Sequence, residues 1–273
     1  MRIRQILLGP LLAGLYMTRA AIASEIDENV LAELPAADVI VLGEVHDNPQ
    51  HHLNQALAIA ALSPKAIVFE MFGPNEALAV TPEVRGRADR LAEALDWESS
   101  GWPDFAMYHP IFLAAPDAVI FGGDMPREEV RRAVTEGAAA VLGGSAPLFG
   151  LDQPLDPDEQ AQREAGQMVA HCDALPKDIL PGMVEAQRLR DAALARAVLA
   201  AMAETGGPVA VVTGNGHARR DWGLPRMLER AAPALEILSV GQFESPPDGV
   251  APHDLWLVTP PVARDDPCAV FRD

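Results

Sequence analysis

Four short apolar runs constrain this chain more than anything else in it: Val39–Leu42, Ala66–Phe69, Ala118–Phe121 and Val209–Thr213. Each is continuous rather than alternating, which suits strands buried on both faces of a parallel sheet. Ile237–Val240 and Leu255–Val258 are two further β-type runs. Helical segments alternate with them, at His51–Leu62, Pro82–Leu95, Pro126–Val134, Pro157–Ala170 and Met183–Ala203. This alternation predicts an α/β fold, a mostly parallel central sheet flanked by helices. Two stretches interrupt it. Trp97–Pro110, with two Trp, a Tyr and a His, reads as a helical aromatic insertion, and Gly137–Pro157, rich in Gly and Pro, reads as a surface loop.

With 273 residues, 49% of them hydrophobic, the chain can bury a sizeable core. Its formal net charge of −18 argues against nucleic acid and anionic lipid as partners, since both need clustered Lys and Arg. The N-terminus has the three parts of a secretory signal peptide: Arg2 and Arg4, an apolar run from Ile6 to Met17, and Ala21-Ile22-Ala23 before Ser24. The run is too short for a membrane span, which needs about 20 residues. The expected layout is a signal peptide over residues 1–23 and one α/β domain over 24–273, with no transmembrane segment in the mature chain. Removing residues 1–23 takes away Arg2, Arg4 and Arg19 and no acid, moving the net charge from −18 to −21. No Cys follows the apolar run, so a lipid anchor on Cys is not expected. Export permits a disulfide between the two cysteines, Cys172 and Cys268, but spacing alone leaves bridge and free thiols equally open.

Ligands of open α/β sheets bind beyond the carboxyl ends of the strands. In this sequence those ends carry Gly43, Glu44 and His46; Glu70; Gly122, Gly123 and Asp124; and Gly214, Asn215, Gly216 and His217. Two imidazoles and several carboxylates converging on one rim have two uses. Glu44, His46, Glu70 and His217 could hold a divalent metal ion. Alternatively His46, Glu70 and His217 could act as catalytic acid and base without one. His51 and His52, at a helix start, could lie near His46. Tyr108, the only tyrosine left after export, is a further candidate, because Tyr and His both ligate haem iron. The Gly-x-Gly-x-x-Gly, P-loop, Gly-x-Ser-x-Gly and His-Glu-x-x-His motifs are all absent, which disfavours nicotinamide, nucleotide-hydrolysing and serine-esterase chemistry.

Six segments together resemble one family: VLGEVHDNPQHHLNQ (41–55), VFEM (68–71), LDWESSGWPDFAMYHP (95–110), AQRLRDAALA (186–195), TGNGHARRDWGLP (213–225) and the C-terminal DPC. The chain resembles the ChaN-like haem-binding uptake proteins, relatives of the Tiki proteases and erythromycin esterases. The resemblance implies an exported protein that binds haem and serves iron uptake. It implies a homodimer with haem at its interface, outer-membrane or periplasmic uptake components as partners, and periplasmic residence. By the same resemblance Tyr108, with His109 beside it, is the expected haem ligand. The wider group implies an alternative, a metal-dependent hydrolase, esterase or protease, using His46, Glu70 and His217 with Glu44 beside them.

Overall fold

A computed structural model describes residues 23–266, 268 and 269 of the chain. Apart from Ala23, the expected signal peptide lies outside the described residues. Seven strands form one sheet: β1 (Ser24–Glu25), β2 (Val39–Leu42), β3 (Ala66–Phe69), β4 (Val119–Gly122), β5 (Val209–Val212), β6 (Ile237–Phe243) and β7 (Leu255–Val258). Their order is β1-β7-β6-β2-β5-β3-β4, and every pairing is parallel. The chain runs from β2 out to β3 and β4, and returns through β5 into the place between β2 and β3. It then continues to β6 and β7 on the other side.

Among the described residues six helices have eight residues or more: α1 (Pro49–Leu62), α2 (Phe105–Ala114), α3 (Arg127–Glu136), α4 (Pro157–Ala170), α5 (Leu180–Thr205) and α6 (Leu224–Ala231). Alternate strand residues feed two cores. Val39, Val41, Val68, Val209 and Val211 pack with Leu189, Leu194 and Val198 of α5 and Leu224 and Leu228 of α6. Ile40, Leu42, Ile67, Phe69 and Val212 pack with Ile59 of α1 and Tyr108, Ile111 and Phe112 of α2. Burial on both faces is why these strands read as unbroken apolar runs.

Several boundaries differ from expectation, each for a local reason. Helix α1 starts two residues early, because Asn48 caps it, accepting from Gln50 N at 3.0 Å, and Pro49 fits the first turn. The helix expected over Pro82–Leu95 is broken into Pro82–Arg85 and Ala88–Ala94 around Gly86. The aromatic insertion is helical from Phe105 to Ala114. Gly137–Pro157 is not a plain surface loop: it holds a helical turn over Ala138–Leu142 and a 3-10 turn over Gly143–Phe149, and Ala138, Leu142, Ala146 and Phe149 enter the first core. Cys172 and Cys268 are disulfide-bonded, with Cα atoms 5.4 Å apart, so neither is a free thiol. No helix of the described residues is long and apolar enough to cross a membrane.

Candidate functional site

Strands β2 and β5 are neighbours in register, Leu42 beside Val212, so Gly43–His46 and Gly214–His217 leave the sheet side by side. A Cβ added at Gly214 would lie 2.9 Å from both Cε1 and Nε2 of His46, so the imidazole rests on the glycine backbone. Strand β3 flanks β5 and delivers Glu70 to the same place. Glu70 Oε2 accepts from Thr213 Oγ1 and from Gly214 N, both at 2.7 Å.

Glu44 organises the first half of the site. Its side chain is fully buried, and it accepts from Tyr108 Oη at 2.8 Å and Gln55 Nε2 at 2.8 Å. Its Oε1 lies 2.7 Å from His46 Nδ1, and its Oε2 lies 3.4 Å from His52 Nδ1. Burial raises the Glu44 carboxyl, but the bonds and charge of His46 and His52 outweigh burial and hold it at about 2. Burial lowers His46, and Glu44 and Glu70 more than reverse this, so it is raised above the ordinary imidazole value. The His46 side chain is 37% exposed, and its ring meets Trp102 edge-on at 4.8 Å. His52 donates from Nε2 to His46 O at 2.8 Å and so fixes the loop. His51 is committed elsewhere: its Nδ1 accepts from Val45 N at 2.8 Å, and burial lowers it to about 4.

His217 organises the second half. Its Nδ1 lies 2.7 Å from Asp191 Oδ1 on α5, and its Nε2 lies 3.4 Å from Glu70 Oε1. Burial lowers the imidazole, but Glu70 and Asp191 together raise it to about 9, so it is an imidazolium at neutral pH. The rim therefore holds two histidines, each backed by a buried carboxylate, with Glu70 between them.

The structure thus brings Glu44, His46, Glu70 and His217 together, with His52 of the helix-start pair beside them, and it adds Asp191, Gln55 and Thr213. Asp124 instead borders a separate cleft of about 490 Å³ at the free edge of β4, with Leu78 and Arg196. Among the described residues no group of three or more His, Cys, Asp and Glu side chains is arranged to hold a metal ion. Of the expected set, Glu44 is bonded by four side chains, Glu70 Oε2 accepts from Thr213 and Gly214, the His217 imidazolium is held between two carboxylates, and His46 meets Glu44 through Nδ1.

The expected haem ligands face inward. Tyr108 has no exposure and points its hydroxyl at Glu44; burial and the Glu44 charge raise its pKa, which opposes tyrosinate formation. His109 is half-buried, with Nε2 3.0 Å from Arg85 O. What faces outward is apolar. The exposed positions of α1 are Pro49, Leu53, Leu57, Ala60 and Ala61, and those of α2 are Ala106 and Leu113. Leu53, Leu57 and Leu113 are 52%, 43% and 50% exposed. In a chain of net charge −18, two neighbouring helices carry no exposed charge.

Fold and site together define a parallel α/β protein with a histidine–carboxylate rim. Residues 30–228 match the family described as haem-binding uptake, Tiki superfamily, ChaN, and the chain belongs to that family. The fold is also similar to a structure described as cofacial haem binding to ChaN of Campylobacter jejuni. The TM-score is 0.64 at 21% identity, over 84% of this chain and 90% of that one. Looser likenesses are the type III effector HopBA1 (TM-score 0.45, 12% identity, 86% and 92% covered) and the erythromycin esterase EreC in its open conformation (0.40, 10%, 76% and 70%). No curated protein matches the chain by sequence.

Proposed function

We propose that this protein is exported and carries haem as cargo in haem and iron uptake. Family membership over residues 30–228 is the observation that carries this reading. The residues fit the cargo. A haem macrocycle needs an apolar bed and an accessible ligand atom. The uncharged outer faces of α1 and α2 supply the bed, with Leu53, Leu57 and Leu113. His46, three residues before α1 begins, is the accessible imidazole, with Trp102 against its ring. On this reading the ligand is His46, while Tyr108 and His109 hold the scaffold behind it. A second copy laid over the same apolar face would enclose the haem in a homodimer, as the family resemblance implies. Export through residues 1–23 to the periplasm accords with the Cys172–Cys268 disulfide, since such bonds persist in oxidising compartments.

Titration of the purified mature protein with haemin tests the reading. The expected result is a Soret shift that saturates at stoichiometric haemin and is lost in His46→Ala, with dimer formation by sedimentation. No Soret shift overturns it.

The two carboxylate-backed histidines favour a second reading, a hydrolase. In it His46 takes a proton from an attacking water, and the His217 imidazolium donates to the leaving group. Ester hydrolysis absent from the wild-type protein, or unchanged in His46→Ala and His217→Ala, would count against it.

A further inference from the structure

We infer a second binding site, for a small ligand bearing a phosphate or carboxylate group, in the cleft of about 200 Å³ between α4, α5 and α6. Arg163, Arg188, Arg226 and Arg230 converge there beside Trp222. Lys and Arg number only 21 in the chain against 39 Asp and Glu, so four guanidinium groups on one small cleft invert the local charge. The carboxylates nearby are already engaged. Glu159 pairs with Arg163 and Arg226, Glu185 pairs with Arg188, and Asp156 caps α4 by accepting from Asp158 N and Glu159 N. Asp191, whose charge also acts on Arg163, is paired with His217, which leaves four guanidinium groups against three carboxylates.

Donors remain unused. Arg163 lines the cleft but is 9% exposed, its guanidinium is held by Glu159 and by Trp222 O, and its buried Nε has no surface a ligand could reach. The donors open to an oxyanion are those of Arg230. Arg230 makes no ion pair among the described residues; its only hydrogen bond there is a long one, 3.4 Å from Nε to Pro147 O. Its position is built in. Gly150 has φ +73, and a Cβ there would lie 3.0 Å from Arg230 Nε, so the glycine lets the guanidinium lie flat on the loop. Gly150 O also accepts from Arg188 Nη2 at 3.0 Å. Planar guanidinium forks suit bidentate contact with phosphate and carboxylate oxygens. Trp222 adds a flat wall, itself covered by Arg219 at 3.6 Å and by Arg163 at 5.2 Å. An adjoining cleft of about 150 Å³ shares Arg163 and Trp222 and extends to Asp191 and Gly216. It is this adjoining cleft that reaches Asp191, the partner of His217, and none of the anion site's arginines belongs to the rim.

Isothermal titration with inorganic phosphate, at low ionic strength so that exposed charges are not screened, tests the inference. Succinate is the parallel arm and sodium chloride the control. The expected result is one saturable site per chain, at least tenfold weaker in Arg230→Gln and in Arg226→Gln. Both variants should keep the wild-type circular dichroism, since both side chains reach solvent. Tighter phosphate assigns a phosphate ester as the ligand class, and tighter succinate assigns a carboxylate. The inference is overturned if neither anion saturates, if chloride competes equally, or if the Arg226→Gln/Arg230→Gln double variant binds as well as wild type. Haemin binding does not enter this test, so the two sites stand or fall separately.

Discussion

Tyr108 donates its hydroxyl hydrogen to Glu44 Oε1 at 2.8 Å, and this bond joins the aromatic segment to the first rim motif. Neither side chain is exposed, and Glu44 spends its other lone pairs on His46, Gln55 and His52. Helix α2 thereby controls how firmly the His46 imidazole is held.

Replacing Tyr108 by Phe removes that donor from a buried, ionised carboxylate. A hydrogen bond to a charged group contributes about 1.5–3 kcal/mol. Urea unfolding of Tyr108→Phe is expected to show a loss in that range. The haem spectrum separates the two ligand assignments. With His46 as ligand, the variant keeps the wild-type Soret band with an affinity lowered a few-fold. Complete loss of the band in a folded variant would return the ligand role to Tyr108.

The His217 imidazolium, held by Glu70 and Asp191, makes stability depend on pH with a definite sign. The folded-state pKa is about 9, above the ordinary 6.5. A raised pKa means the folded state holds its proton more tightly, so the stabilisation is complete below about 6.5 and is lost as pH rises through 9. Stability measured from pH 6 to 10 should fall across that window. Asp191→Ala leaves the imidazolium with Glu70 as its one charged partner and, removing one hydrogen bond to a charged group, should cost about 1.5–3 kcal/mol at pH 6. The same variant should flatten the pH dependence. An unchanged slope would show that Glu70, not Asp191, holds the His217 proton, and His217→Gln would then be the variant that flattens it.

Much of this arrangement was legible in the sequence, and the reasons are physical. The apolar runs of β2, β3 and β5 suit a doubly covered sheet, and parallel strands place Glu44, His46, Glu70 and His217 on one rim. Asp191 was not legible as a site residue. It interrupts the Ala-rich buried face of α5, between Leu189 and Ala193, and a lone acid there is indistinguishable from a solvated position until a partner histidine arrives from β5. That Tyr108 turns its hydroxyl inward to Glu44 is set by how α2 packs against α1, which no local pattern in the sequence encodes. Gly137–Pro157 misled because its Gly and Pro residues frame short turns whose apolar residues point into the core.

The Cys172–Cys268 bond ties the chain end back to the segment after α4 across 96 residues of sequence. A loop of that size removes about 4–5 kcal/mol of unfolded-state entropy in the chain-entropy model. Unfolding with and without reductant should differ by up to that amount, and a Cys172→Ser/Cys268→Ser double variant should match the reduced protein. Neither cysteine takes part in the rim contacts, so haemin affinity should not change on reduction.

Gly214→Ala tests the contact between the two motifs. The backbone at Gly214, with φ −64 and ψ 151, is open to any residue, so the substitution introduces no conformational strain. Its cost lies in one contact. The new methyl group would sit 2.9 Å from Cε1 and Nε2 of His46 and 3.7 Å from Glu70 Oε2. The imidazole must swing away, which strains its bond to Glu44, and overpacking of this kind costs about 1–3 kcal/mol. Haemin affinity is expected to fall about tenfold, because 1.4 kcal/mol corresponds to that factor. Gly216→Ala is the control: a Cβ there meets nothing within 4 Å, and binding should stay at the wild-type level. Equal haemin affinity in the two variants would show that His46, and the ring position Gly214 sets, play no part in holding the haem.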